Sequence, residues 1–167
     1  MKLAVDIFYS GKQAYVAGVS FSSWQDSSPL NIYSCRVSDV AEYVPGQFYK
    51  RELPCILTLL DQFKIEASYI MVDGYVYLGD HEQPGLGKHL YDALNEKVKV
   101  IGVAKKPYLT PDPESEVHRG ESKIPLYVTS VGVHPEEAKS IVKQMHGPYR
   151  IPTLLKKVDQ VSRTGQK

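Results

Sequence analysis

Residues 2–37 read KLAVDIFYSGKQAYVAGVSFSSWQDSSPLNIYSCRV, and the spacing of their apolar residues sets the architecture. Val, Ile, Tyr and Phe concentrate at 2–9, 13–21 and 30–37; Ser-Gly-Lys separates the first two runs, and a Ser, Asp and Pro cluster the last two. Such runs, punctuated by turn formers, predict three successive antiparallel strands. From Arg51 the period lengthens: Leu53, Ile56, Leu57, Leu60 and Phe63 follow helical spacing, with Pro54 placed in the first turn. Residues 68–72 form a short apolar strand ended by Asp73-Gly74, and 99–104 another ended by Lys105-Lys106. Uninterrupted apolar runs suit strands covered on both faces. Helices are expected over 86–94, 135–145 and 153–163, with a further strand over 125–130 after a Pro-rich, charged loop at 107–123.

This order predicts an α/β fold of the ribonuclease H-like kind: a central mixed sheet, with three antiparallel strands followed by alternating helices and parallel strands. The 167 residues, 43% of them hydrophobic, suffice for one core and are too few for two ordinary ones, so residues 1–167 read as a single domain. Twenty Lys and Arg against nineteen Asp and Glu leave a net charge of +1, which argues against strong nonspecific attraction to nucleic acid or membrane. The C-terminal third leans basic (Lys139, Lys143, Arg150, Lys156, Lys157, Arg163), and a solvated helix face is the plainer account of each. Cys35 and Cys55 sit in apolar settings without metal-like spacing and read as reduced core residues. Neither a signal peptide nor a long apolar run is apparent, so a soluble cytoplasmic monomer is expected. The histidines lack zinc spacing, GLGK at 85–88 lacks the rest of a phosphate-binding loop, and there is no Gly-x-Ser-x-Gly nucleophile elbow.

Chemistry concentrates in three acids placed where apolar segments begin or end: Asp6 inside LAVDIFY, Glu52 at the head of the helical stripe, and Asp73 after SYIMV. Glu52 lies one turn before Ile56, so it points from the helix N-terminus toward the sheet, where the helix dipole favours negative charge. Two carboxylates ~4 Å apart repel by roughly 4 kcal/mol at an effective dielectric of ~20. Clustered together, the three make an all-oxygen site for a hard divalent cation such as Mg²⁺, which shares its shell with water and substrate phosphates. Taken singly, each has a plainer account: strand-edge charge, helix-dipole partner, Asp-Gly turn residue.

Several strings together resemble the endonuclease V family: YVPGQFYKRELPCILTLL at 43–60, MVDGY at 71–75, GLGKHL at 85–90, IGVAKK at 101–106, IPLYVTS at 124–130 and YRIPTLLKKVDQVSR at 149–163. Their order matches as well, with 46 residues from Asp6 to Glu52 and 21 from Glu52 to Asp73. The resemblance implies a ribonuclease H-like fold and a Mg²⁺-dependent endonuclease, with Mn²⁺ as substitute, acting beside inosine or deoxyinosine in DNA or RNA. By position it implies that Asp6, Glu52 and Asp73 hold the metal, and that Lys105 is the lysine of the family's Gly-Val-Ala-Lys motif. It further implies that Tyr43, Val44 and Pro45 form a wedge entering the nucleic acid, that Phe48 and Gly74 line a pocket for the displaced base, and that Asp159 supports the metal.

Two strings depart from the pattern. The family's Asp-Gly leads into His-Pro-Arg, whereas Gly74 is followed by YVYLGDHEQP, with Asp80 and His81 displaced; its Ser-Pro-Gly-His is replaced by Ser130-Val131-Gly132-Val133, with His134 following. A second reading therefore stands beside the first: a ribonuclease H-like nucleic-acid-binding protein, or a nuclease for another substrate, without inosine specificity.

Overall fold

The computed structural model describes residues 1–45, 47–79, 83–109 and 112–164. Gly46 of the Tyr43 turn, Asp80 and His81 lie outside the described residues. In chain order the elements are β1 (Lys2–Ser10), β2 (Gln13–Phe21), β3 (Asn31–Val37), α1 (Tyr49–Gln62), β4 (Tyr69–Val72), β5 (Tyr77–Leu78), β6 (Gln83–Pro84), α2 (Leu86–Ala93), β7 (Lys99–Ala104), a 3-10 turn (Pro113–Ser115), β8 (Glu116–Val117), β9 (Leu126–Val131), α3 (Pro135–Gln144) and α4 (Thr153–Thr164).

Seven strands form one mixed sheet in the order β3-β2-β1-β4-β7-β9-β8, and β5 and β6 pair separately. The first three strands are antiparallel, as their short links dictate; Gly11, at φ +62°, supplies the positive dihedral of the β1–β2 turn. β4 and β7 add in parallel, each after a connection carrying a helix. β9 instead runs antiparallel to β7. Among the described residues no α-helix intervenes between them; the connection carries the 3-10 turn and β8, and without a helical crossover the chain turns back on itself. Thus the loop expected at 107–123 is partly structured.

Period-two alternation sends side chains to two cores. Leu3 and Val5 of β1, Ile70 and Val72 of β4, and Val100 of β7 join α1 and α2 on one face. Ala4, Met71, Ile101 and Val103 join α3 and α4 on the other. Two covered faces explain why β4 and β7 read as continuous apolar runs. Cys55 is buried and Cys35 half-buried, both free thiols. α1 begins at Tyr49, four residues ahead of Leu53 at the head of its apolar stripe, which moves Pro54 into the second turn, where the proline leaves one helical carbonyl without its donor. Among the described residues no helix is long and apolar enough to cross a membrane.

Candidate active site

β1 and β4 are paired at Ala4 and Met71, and Asp6 and Asp73 each lie two residues further along. Asp73 therefore stands just past the end of β4 and Asp6 beside it in the middle of β1, both on the α4 side and next to Lys105 just past β7. A small pocket there is lined by Asp6, Asp73, Lys105, Ile151 and Val158. Glu52 comes from α1 and is only 8% exposed.

Burial and mutual repulsion govern the protonation of these acids. Asp6 is raised from 3.8 to about 7, first by burial, then by the charge of Asp73 and a hydrogen bond shared with Asp159; the Ile7 N–H, donating to Oδ1 at 2.9 Å, opposes this. Glu52 is pushed well above the ordinary glutamate value by burial and by Asp73 and Asp6. Asp73 stands at the mouth, its side chain 44% exposed, and is still raised, because water lost from its inner side outweighs Lys105, whose Nζ lies 3.7 Å from Oδ2. Asp159 goes the other way. Burial alone would raise it, but Arg163 Nε, donating to Oδ1 at 3.0 Å, together with Asp6 and Lys105 holds it low. Asp6 thus keeps its proton near neutrality and donates it toward the ionised Asp159.

All-oxygen donors that hold each other's protons on suit a hard dication, which would replace the protons. As posed, no three Asp, Glu, His or Cys side chains among the described residues stand close enough to grip one ion. Asp73 leans on Lys105, and Asp159 on Arg163.

A second concavity of about 640 Å³ opens beside the acids, lined among others by Tyr43, Phe48, Asp73, Gly74, Tyr75 and Lys105. Tyr43 is 56% exposed and meets Phe48 edge to face, with ring centroids 6.1 Å apart. Val44 and Pro45 stay exposed in the adjoining turn, closed by the Gln47 N–H donating to the Val44 carbonyl at 2.9 Å. The Gly74 segment crosses β7 at Gly102, where an added Cβ would lie 2.5 Å from the Gly74 oxygen. Thr129 Oγ1 accepts from the Val76 N–H at 2.9 Å and fixes the crossing.

Sequence reasoning missed the residues that hold this geometry. Tyr75 Oη donates to the Lys106 carbonyl at 2.7 Å and accepts from the Tyr108 N–H at 3.1 Å. Arg150 donates through Nη2 to the Lys105 and Pro125 carbonyls and through Nε to that of Ile124. The buried Arg119 donates to the carbonyls of Met145, Gly147, Tyr149 and Arg150. Of the residues missed, Arg163 carried a usable signal, a base one helical turn from the acid Asp159 that the sequence reading had named.

Comparison with known proteins gives a consistent picture. The family model for endonuclease V matches residues 3–134. The endonuclease V of Ignicoccus hospitalis is 30% identical over 175 residues, spanning 96% of this chain and 80% of that protein. Among solved structures, human ENDOV superposes with a TM-score of 0.78 at 23% identity, covering 98% of this chain and 83% of that one. A Ciona intestinalis endonuclease V, in complex with a 24mer DNA containing an inosine followed by a ribo-adenosine, gives 0.75 at 21%, covering 98% and 84%. The α/β fold is ribonuclease H-like, in agreement with the order of elements read from the sequence.

Proposed function

Since the chain belongs to the endonuclease V family, we propose that it is a metal-dependent endonuclease hydrolysing a phosphodiester near inosine or deoxyinosine in DNA or RNA. The observation that carries this reading is the group of acids: burial and the charge of Asp73 raise Asp6 and Glu52, and Asp73, itself raised by burial, also lines the cleft of Tyr43 and Phe48. The inosine in the DNA bound by the Ciona relative supports the choice of substrate. The reading takes the chain as one domain, acting as a cytoplasmic monomer.

Asp6, Glu52 and Asp73 would hold Mg²⁺, or Mn²⁺ in its place, with Asp159 steadying Asp6. Once bound, the cation supplies a water of lowered pKa and neutralises charge on the leaving oxygen. The protein does the rest. Lys105 is released from Asp73 when that carboxylate turns inward, and its ammonium then meets the negative phosphate. Arg150 and Tyr75 hold the carbonyls of Lys105 and Lys106, so the base of the lysine side chain is anchored beside the acids. Tyr43 and its turn fill the gap left by the displaced base, while Phe48 and Gly74 line the cleft that receives it. Exposing a base costs a few kcal/mol, least where it is mispaired or single-stranded.

One observation favours the second reading. The cleft wall after Gly74 is Tyr75, whose hydroxyl is already committed to Lys106 and Tyr108 and offers little for reading the edge of a base. Cleavage of matched inosine-containing and inosine-free strands of DNA and RNA, with Mg²⁺ and with Mn²⁺, separates the two. Cutting confined to inosine-containing strands is the expected result; equal cutting of both establishes a different specificity, and no cutting of any strand overturns the nuclease reading.

A further inference from the structure

Behind α4 lies a groove of about 720 Å³ between residues 27–29 and the segment around Tyr149, Arg150, Ile151, Lys156 and Lys157. Three cations line it and no carboxylate does. Other basic residues of this region are engaged with acids, Lys139 with Glu136 and Arg163 with Asp159, whereas no ion pair engages Arg150, Lys156 or Lys157 among the described residues. A net charge of only +1 gives no general reason for such a concentration. Tyr149 stands beside them, 76% exposed. Its carbonyl accepts from Arg119 Nη1 at 2.6 Å, so the backbone beneath the ring is fixed and little order need be gained when something stacks on it.

This groove and the Tyr43 cleft have no residue in common, yet both adjoin the acids: the cleft is lined by Asp73 and Lys105, and the groove is lined by Ile151, which also lines the pocket of Asp6 and Asp73. We infer that the groove is a second nucleic-acid contact, taking the sugar–phosphate backbone of the strand that flanks the cleavage site, with a flanking base stacked on Tyr149. A backbone carries one charge per nucleotide, which matches Lys156 and Lys157 beside Arg150, whose guanidinium is held by backbone carbonyls with no acid to neutralise it, and every base has a face for an aromatic ring. The inference rests on the nuclease reading and adds to it the path of the strand outside the recognition cleft.

The test is fluorescence anisotropy in EDTA, with single strands of DNA and of RNA that carry one inosine. Each has no flank or has a flank extended on one side, and each is titrated at several salt concentrations. The wild type should gain affinity when one particular flank is extended. Replacing the two lysines (Lys156→Gln with Lys157→Gln) should flatten the salt slope by about 1.4, since each phosphate contact on a single strand contributes ~0.7. Tyr149→Ala should weaken the extended strand roughly five- to a hundredfold and leave the short one unchanged. Equal gains in one nucleic acid only identify which backbone the groove takes. Absence of any flank gain in the wild type, or a gain and slope unchanged in folded variants, overturns the groove while leaving the inosine reading intact. Flank-dependent binding that is indifferent to inosine supports the groove and overturns inosine recognition instead.

Discussion

At the scale of single residues, Asp6 sets the pH behaviour. A carboxyl whose folded pKa lies above its unfolded value costs stability wherever it is ionised. For Asp6 that cost is absent below 3.8, accumulates as pH rises toward about 7, and is complete above it. Metal-free protein should therefore lose stability between about pH 4 and 7. Asp6→Asn keeps an oxygen for the Ile7 N–H and removes the charge. It should recover about 1 to 3 kcal/mol at pH 8 in EDTA, a few degrees in Tm, while cleavage falls roughly a hundredfold or more. A variant melting with the wild type at pH 8 counts against the crowding of charge. Tyr43→Ala bears on the wedge. It should impair cleavage of duplex more than of single strands, which need no separation; an equal loss on both, or unfolding, makes Tyr43 a packing residue. The acids were legible because an acid at the end of an apolar run has few structural reasons to be there. Arg119, Arg150 and Tyr75 were not, because what matters is the distant carbonyl each one reaches, and a linear pattern carries no record of it.

At the scale of elements, Gly102 is where β7 yields room to the turn carrying Asp73. Gly102→Ala sets a methyl group 2.5 Å from the Gly74 carbonyl and 3.0 Å from the Val76 nitrogen, both backbone atoms that cannot rotate aside. The turn must move, at a cost of about 1 to 3 kcal/mol, and it carries Asp73 with it. Gly11→Ala is the control, because it meets nothing within 4 Å and strains only a dihedral at φ +62°. Both variants should melt earlier, and only Gly102→Ala should lose kcat/KM; equal activities would mean that the crossing does not position the site. The longer helices and strands were legible because the faces they bury in the two cores enforce their period. The direction of β9 was not, since it depends on whether residues 105–125 contain a helix, and Pro54 deceived because α1 starts ahead of its own apolar stripe.

At the scale of the whole molecule, the acids form a reservoir of repulsion that a cation can relieve. Millimolar Mg²⁺ or Mn²⁺ should raise Tm, by about 2.7 kcal/mol of stability when the free ion is a hundred times its Kd. The rise should disappear in Asp73→Asn, which keeps the shape of the side chain and loses its charge. A wild type indifferent to metal would count against a clustered site. The global fold was readable because order and spacing nearly determine it; the closeness of Asp6 to Asp159 was not, since it joins residues about 150 positions apart. That separation also has a meaning in time. Asp6 is synthesised about 150 residues ahead of Asp159, which α4, packed on β1, delivers. A chain emerging from the ribosome thus carries an unfinished site past every nucleic acid around it, including the message being read. On the nuclease reading, Asp6 meets Asp159 only after α4 has been translated.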